Sequence, residues 1–392
     1  MNPLNRRQFV SSAFAGAAMA SISWSVASRT VSAMMQEEPS IDPAKMDLIY
    51  RSKAPRNGEP KLEKLVENWI TPTPQFYIRS HGANPAIVAD EFKVSVEGMV
   101  ENPLVFSIQE LIEKFPKSSC TCTVSCAGIR RYEFNKVKEI KGVAWQEGPI
   151  GNAVWSGVRL LDVLKAAGIK TEAKHVWFEG ADEIVDGKAT FPFGGSVPLT
   201  KLLEEECPMP GVLLATHMNG EPLLPDHGFP IRTIVPGYIG ARSVKWLRKI
   251  VVSDKPSPNH FIADVYKMVY SGTPVEIDET APIYRYPVNA ALCSAEKRKA
   301  EYVCRATHCQ QVAKGAPSVV LKSQRTMEQR GQPPRWEEVG DFCWQLWSST
   351  LTIANAETDI CVRATDSLGN TMPRRCRGTR KVIFTMRGIE CP

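Results

Sequence analysis

The stretch Thr123-Val124-Ser125-Cys126-Ala127-Gly128-Ile129-Arg130-Arg131-Tyr132 sets one cysteine, a small pair and then two adjacent arginines. A thiol in so electropositive a loop favours the thiolate, the form that a soft or high-valent metal binds. Taken alone, the same residues fit a disulfide among Cys120, Cys122 and Cys126, the ordinary fate of close cysteines in an exported chain. Three further stretches bear on the choice. They are Phe76-Tyr77-Ile78-Arg79-Ser80-His81, Phe178-Glu179-Gly180-Ala181-Asp182, and a long block from Leu224-Pro225-Asp226-His227-Gly228-Phe229-Pro230-Ile231-Arg232 to Gly240-Ala241-Arg242-Ser243-Val244-Lys245-Trp246-Leu247. Glycines beside arginines and a lysine suit close backbone approach to a phosphorylated, anionic ligand. His81 or His227 alone reads as a satisfied structural histidine, and Arg232 or Lys245 alone as a solvated charge. Their joint occurrence is what points to a ligand.

Outward from these blocks, apolar alternation predicts strands at 92–99, 175–179, 231–235 and 245–252. Ser107 caps a predicted helix over 108–115, and Gly168 ends another over 159–167. Residues 76–270 therefore read as one mixed α+β domain with long loops. The proline-punctuated residues 34–75 read as an extended arm before it. Residues 271–392 carry short strand-like pieces at 319–321, 342–347, 350–353, 360–363 and 381–386, which predict an all-β sandwich. Within that region, 292–334 is rich in Lys, Arg, Gln and Cys and reads as no regular element.

The chain has 392 residues, 43% hydrophobic and 23% charged, which excludes a disordered, collagen-like or polytopic membrane protein. Its net charge of +6 is halved without the first 33 residues, which hold Arg6, Arg7 and Arg29 and no acid. That bias is too weak for a nucleic-acid partner. Arg6-Arg7 ahead of a small-residue apolar run, with Val31-Ser32-Ala33 for cleavage, reads as a twin-arginine signal over 1–33 and predicts a periplasmic address. Such a route serves proteins folded around a cofactor before export. Eleven cysteines is an odd number, so in an oxidising compartment at least one stays unpaired within the chain. No Cys-x-x-Cys-His, P-loop or dinucleotide fingerprint is present.

In combination, the Cys126 to Arg131 block and the His227 to Leu247 block resemble the sulfite oxidase family of molybdenum–molybdopterin enzymes. The resemblance is close from Phe76 to Lys267 and loose beyond. It implies a molybdopterin-binding domain followed by an immunoglobulin-like dimerisation domain, and a homodimer. It makes Cys126 the molybdenum ligand, and Tyr77, Ile78, Arg79, Ser80 and His81 the segment embracing the pterin. Asp182, His227, Arg232, Ser243, Val244 and Lys245 become further contacts, with Arg232 and Lys245 suited to the cofactor phosphate. The implied substrate cage is Arg79, Arg131, Trp145 and Tyr266, with Arg387 from the second domain. Three guanidinium groups around an oxo-metal select a small oxyanion by charge and bidentate geometry. The implied activity is oxidation of sulfite to sulfate, with electrons passed singly to an external acceptor such as a c-type cytochrome. No stretch reads as a cytochrome b-type haem domain. The alternatives are a sulfane dehydrogenase-type subunit of a thiosulfate-oxidising complex and a methionine sulfoxide reductase. The arginine cage and the second domain argue against the reductase. Outside the fold, the alternative is a disulfide-rich exported binding module without metal.

Overall fold

The computed structural model describes residues 46–135, 139, 141–203, 211–267, 281–298, 301–309, 318–323, 335–336, 342–352 and 360–365. The export segment, Arg387 and the strand expected at 381–386 lie outside the described residues.

Two five-stranded sheets organise the first part of the chain. One runs in the order β11 (Gly194–Pro198), β8 (His175–Gly180), β15 (Leu247–Ser253), β4 (Lys93–Gly98) and β5 (Leu104–Ser107). Its β15–β4 pair is parallel and the others are antiparallel. Alternation produces its inner face: Val94 and Val96 of β4, and Val176 and Phe178 of β8, are buried while their neighbours are not. These side chains enter the largest apolar core together with Leu160, Val163, Leu164 and Ala167 of the helix Leu160–Ala167. Gly168, at φ 74°, ends that helix in the left-handed region as expected. The helix Ile108–Lys114 opens on a capping box. Glu110 N–H donates to the Ser107 hydroxyl at 3.2 Å, and Ser107 N–H donates to the Glu110 carboxylate at 2.7 Å.

The second sheet runs β13 (Glu221–Pro222), β12 (Leu213–Met218), β7 (Ile150–Arg159) and β6 (Lys117–Ser125), with β14 (Arg232–Ile234) also on β12. β6 and β7 pair from Lys117 opposite Val158 to Ser125 opposite Ile150. That long antiparallel pair brings Cys126, after the last residue of β6, beside the 145–149 loop that leads into β7 at the same end of the ladder. Cys120, Cys122 and Cys126 are separate thiols, not bridged to one another.

The segment expected as an extended arm is built into the fold from residue 46. β1 (Ile49–Lys53) and β2 (Arg56–Glu59) form a hairpin, and β2 continues onto β3 (Ile78–Arg79). Buried Asn57 and Glu59 hold it in place, which proline counting does not reveal. A further hairpin pairs β9 (Ile184–Asp186) with β10 (Ala189–Phe191). The strand expected from Lys245 starts at Leu247, because Trp246 sits at φ 50°, outside extended geometry.

The later β region differs from expectation too. β16 (Asn289–Arg298) and β17 (Glu301–Cys309) form a long antiparallel hairpin that begins just before the stretch 292–334 read as irregular and runs into it. A strand ladder is a backbone property, and the many Lys, Arg and Cys residues there blur the alternation that reveals it. Beyond it come β18 (Ser318–Ser323), β19 (Arg335–Trp336), β20 (Trp344–Thr352) and β21 (Ile360–Thr365). The pieces expected separately at 342–347 and 350–353 share β20. The order is β16-β17-β20-β19, with β18 paired to β21. The segment leading into β20 lies against β6: Thr123 N–H donates to Phe342 O at 3.0 Å, and Trp344 N–H to the Thr123 hydroxyl at 2.6 Å.

Candidate functional site

β3 buries Ile78 against Met46 and Leu224, so Tyr77, Arg79, Ser80 and His81 flank it along one wall of a cavity. The cavity takes in about 660 Å³ counted out to open solvent, the size of a cofactor pocket. Cys126 enters it from the end of β6. The Cys126 N–H donates to Pro149 O at 2.8 Å, and its sulfur accepts from the Gly128 N–H at 3.4 Å. Asp182, His227, Arg232, Ser243, Lys245 and Tyr266 complete the opposite walls.

Gly228 sits at φ 103°, and a β-carbon there would meet Lys245 Cβ at 3.0 Å, so the turn after Pro225–His227 closes tightly against Lys245. His227 is held neutral, its pKa pulled down to about 3 by burial and then by Arg232. Its Nε2 is buried without a hydrogen-bond partner. Arg232 donates from Nη1 to His227 O at 2.8 Å and from Nη2 to Ser243 O at 3.0 Å. Lys245 Nζ donates to the Ser80 hydroxyl at 2.7 Å and to Asp226 O at 3.0 Å. Burial, then the Arg232 charge, pulls its pKa down to about 7. Asp182 accepts from Phe193 N–H at 3.2 Å, and burial raises its carboxyl pKa.

Tyr266 follows the π-helical turn Phe261–Val265 and meets His81, Nε2 to hydroxyl, at 3.0 Å. His81 lies between the rings of Phe193 and Phe261, with centroids at 4.6 and 4.5 Å. Burial, then Arg79, Lys245 and Arg131, pushes its pKa well down, so the imidazole is neutral. Burial raises the Tyr266 pKa against the opposing charge of Arg79.

Arg131 and Trp145 lie behind the cavity wall rather than on it. Arg131 is 8% exposed and donates to Val143 O at 3.3 Å. β-carbons on Gly128 and Gly142 would meet its guanidinium at 2.6 and 2.5 Å. Trp145 is fully buried, and its Nε1 has no hydrogen-bond partner. Ile78 and Val244 face apolar clusters, which leaves only their backbone to a ligand. Sequence reasoning passed over Asp226, which lines the cavity while pairing with Arg56 and accepting from Asn84 at 2.8 Å. Nothing in the 224–232 pattern separates it from its neighbours. It also passed over Asn57 and Glu59.

These residues fit a large anionic cofactor. Among the described residues Arg79, Arg131, Arg232 and Lys245 make no ion pair, Arg232 is buried and Lys245 is partly buried. Crowded buried cations of this kind need a counter-anion. His227 Nε2 offers one more group to a ligand. Among the described residues no cluster of three His, Cys, Asp or Glu side chains can hold a metal. A metal at Cys126 therefore takes its other ligands from the cofactor, as a pterin dithiolene provides.

The family described as an oxidoreductase molybdopterin binding domain matches residues 81–261. The mitochondrial sulfite oxidase of Drosophila melanogaster is 35% identical over 358 residues, covering 86% of this chain and 60% of its own length. The sulfite oxidase of Arabidopsis thaliana is 32% identical over 378 residues, covering 90% of this chain and 93% of its own. The chain thus spans under two thirds of the fly relative and nearly all of the plant one. The crystal structure of the sulfane dehydrogenase SoxCD from Paracoccus pantotrophus shares the fold, with a TM-score of 0.67, 22% identity, and coverage of 84% of this chain and 82% of that one. The chain belongs to the sulfite oxidase family of molybdopterin-binding oxidoreductases, and molybdenum–molybdopterin is its cofactor.

Proposed function

We propose that this chain oxidises sulfite to sulfate. Sulfite and water become sulfate, two protons and two electrons, the electrons leaving singly to a separate acceptor, a c-type cytochrome. One observation carries the reading: among the described residues Arg79, on the cavity wall with Cys126 and Tyr266, and Arg131, just behind it, pair with no acid and donate only to neutral oxygens. Guanidinium groups left without acids select a small dianion and gain little from a neutral thioether or sulfoxide. When bound, molybdenum–molybdopterin supplies the oxygen atom and takes up the electron pair. Arg79 draws the oxyanion into the cavity that Cys126 lines and holds its oxygens, and the charge of Arg131 behind the wall adds to the attraction. Tyr266 donates to the substrate or to His81, whose neutral ring can accept that proton.

The second β region reads as the family's immunoglobulin-like dimerisation domain, which supports a homodimer. Residues 1–33 read as a twin-arginine signal that puts the enzyme in the periplasm. Arg6→Lys with Arg7→Lys then traps active enzyme in the cytoplasm, and unchanged export contradicts that address.

The test of the substrate is Arg79→Gln. It removes a charge-assisted contact of about 1.5–3 kcal/mol, so kcat/KM for sulfite falls about 10- to 150-fold. Competitive inhibition by sulfate weakens in parallel. A kcat/KM within twofold of wild type overturns the assignment.

A further inference from the structure

The hairpin that sequence reasoning left as an arm carries two buried polar side chains on alternate residues of β2, hence on one face. Asn57 Nδ2 donates to the Ser52 hydroxyl at 2.9 Å and to Pro55 O at 3.0 Å. Those bonds aim Oδ1 at the cavity wall, where it accepts from Arg79 Nη1 at 3.1 Å and Ser80 N–H at 3.1 Å. Arg79 Nη1 also donates to Ser80 O. Both protein bonds of this guanidinium thus fall on one nitrogen, and its remaining edge is left to the cavity it lines.

Glu59 acts on the other flank. Its Oε1 accepts from Arg51 Nε at 2.5 Å and Gln146 N–H at 3.0 Å, and Oε2 accepts from Gly148 N–H at 3.1 Å. A β-carbon on Gly148 would meet Oε2 at 2.9 Å, so the loop lies directly on the carboxylate. That loop is zipped in turn to the one carrying Cys126 and Arg131. Arg130 N–H donates to Gln146 O at 2.8 Å, and Tyr132 N–H to Trp145 O at 3.0 Å.

We propose that β2 sets the width of the oxyanion pocket: Asn57 orients Arg79 from one side, and Glu59 fixes the loop bracing Arg131 and Trp145 on the other. Asn57 and Glu59 are positioning residues, and their effect on turnover rests on the sulfite reading above.

In the molybdenum-loaded enzyme, Asn57→Ala lets the Arg79 guanidinium turn. The KM for sulfite and the sulfate dissociation constant measured by calorimetry both rise about tenfold, the loss of one bond to a charged group, while kcat changes little. Asn57→Asp keeps the acceptor but sets a negative charge against Arg79, and it weakens sulfate in the same direction. Hydrogen exchange reads the other flank. In wild type the Gln146 and Gly148 amides exchange as slowly as those of β7. In Glu59→Gln, whose amide offers one acceptor oxygen instead of two, at least one of them exchanges about tenfold faster or more. Sulfate binding within twofold of wild type in both Asn57 variants, or unchanged exchange at both amides in Glu59→Gln, overturns the proposal. Neither the calorimetry nor the exchange requires sulfite turnover, so a failed substrate assignment shows itself separately.

Discussion

The ε2 nitrogen of His81 and the hydroxyl of Tyr266 lie 3.0 Å apart, although one follows β3 and the other ends a π-helical turn. Phe193 and Phe261 flank the imidazole, and the guanidinium of Arg242 lies 5.6 Å from the Tyr266 ring centroid. The pair joins the cavity to a buried base that stays neutral. With the His81 pKa depressed, protonation of this ring adds no acid limb near the ordinary histidine value of 6.5. Tyr266→Phe should lower kcat/KM for sulfite about 10- to 100-fold, the scale of a positioned proton donor. Wild type should show no loss of kcat/KM between pH 7 and 6 assignable to His81, by comparison with His81→Gln. An acid limb near 6.5 that His81→Gln abolishes contradicts the neutral ring.

Lys245 links the cofactor to stability. Its folded pKa of about 7 lies below the ordinary 10.5. Below pH 7 it is charged both folded and unfolded, and the fold bears the full cost of burying the charge. Between pH 7 and 10.5 the unfolded chain holds a proton the folded one has released, so stability rises with pH. Cofactor-free protein should gain melting temperature from pH 6.5 to 9, and Lys245→Met should lose much of that gain. A bound cofactor phosphate restores the charge and flattens the dependence. Equal pH slopes for cofactor-free wild type and Lys245→Met would remove Lys245 from this role.

Gly142 makes room for Arg131. It sits at φ 106°, where a β-carbon would meet Arg131 Nη1 at 2.5 Å. Gly142→Ala should destabilise the fold by more than about 1 kcal/mol, the cost of an L side chain at positive φ. It should also cut kcat/KM for sulfite about tenfold by moving the guanidinium. Denaturant unfolding and steady-state kinetics check the two effects independently. Wild-type kinetics in a destabilised variant would show that the position of the Arg131 charge does not matter to the substrate.

Cys126→Ser should leave a folded chain with an unchanged far-ultraviolet circular dichroism spectrum and no sulfite turnover. Its thiolate–molybdenum absorption should vanish even where molybdenum is retained. Full activity in the purified variant would end the metal-ligand assignment.

What was legible in the sequence is what patterning and charge record. The loop from Cys126 to Arg131 and the 224–247 block announced the site, because cations and glycines recur there without the alternation of a strand. The elements at 93–98, 108–114, 160–167 and 175–180 followed from period and caps. The hairpin carrying Asn57 and Glu59 stayed hidden, since its buried residues are polar and their partners lie on distant loops. Arg-Asn-Gly-Glu reads as part of a proline-punctuated arm until Arg79 and Gly148 are brought against it. The 289–309 hairpin escaped for a related reason: its pairing is carried by backbone, and its charged composition conceals which side faces inward. The sequence singles out Trp145 only through the family resemblance, and its complete burial depends on contacts with the 126–132 loop, which no local pattern encodes.

The most direct measurement is a single turnover without oxygen or any other acceptor: purified molybdenum-loaded protein is mixed with excess sulfite, and sulfate and the thiolate–molybdenum absorption are followed together. The account predicts one sulfate per molybdenum, formed as the absorption of the oxidised site bleaches, and neither event in Cys126→Ser. Fully loaded protein that forms no sulfate from sulfite, yet turns over a sulfoxide or a protein-bound sulfane, would contradict the sulfite assignment and leave only the fold and the cofactor.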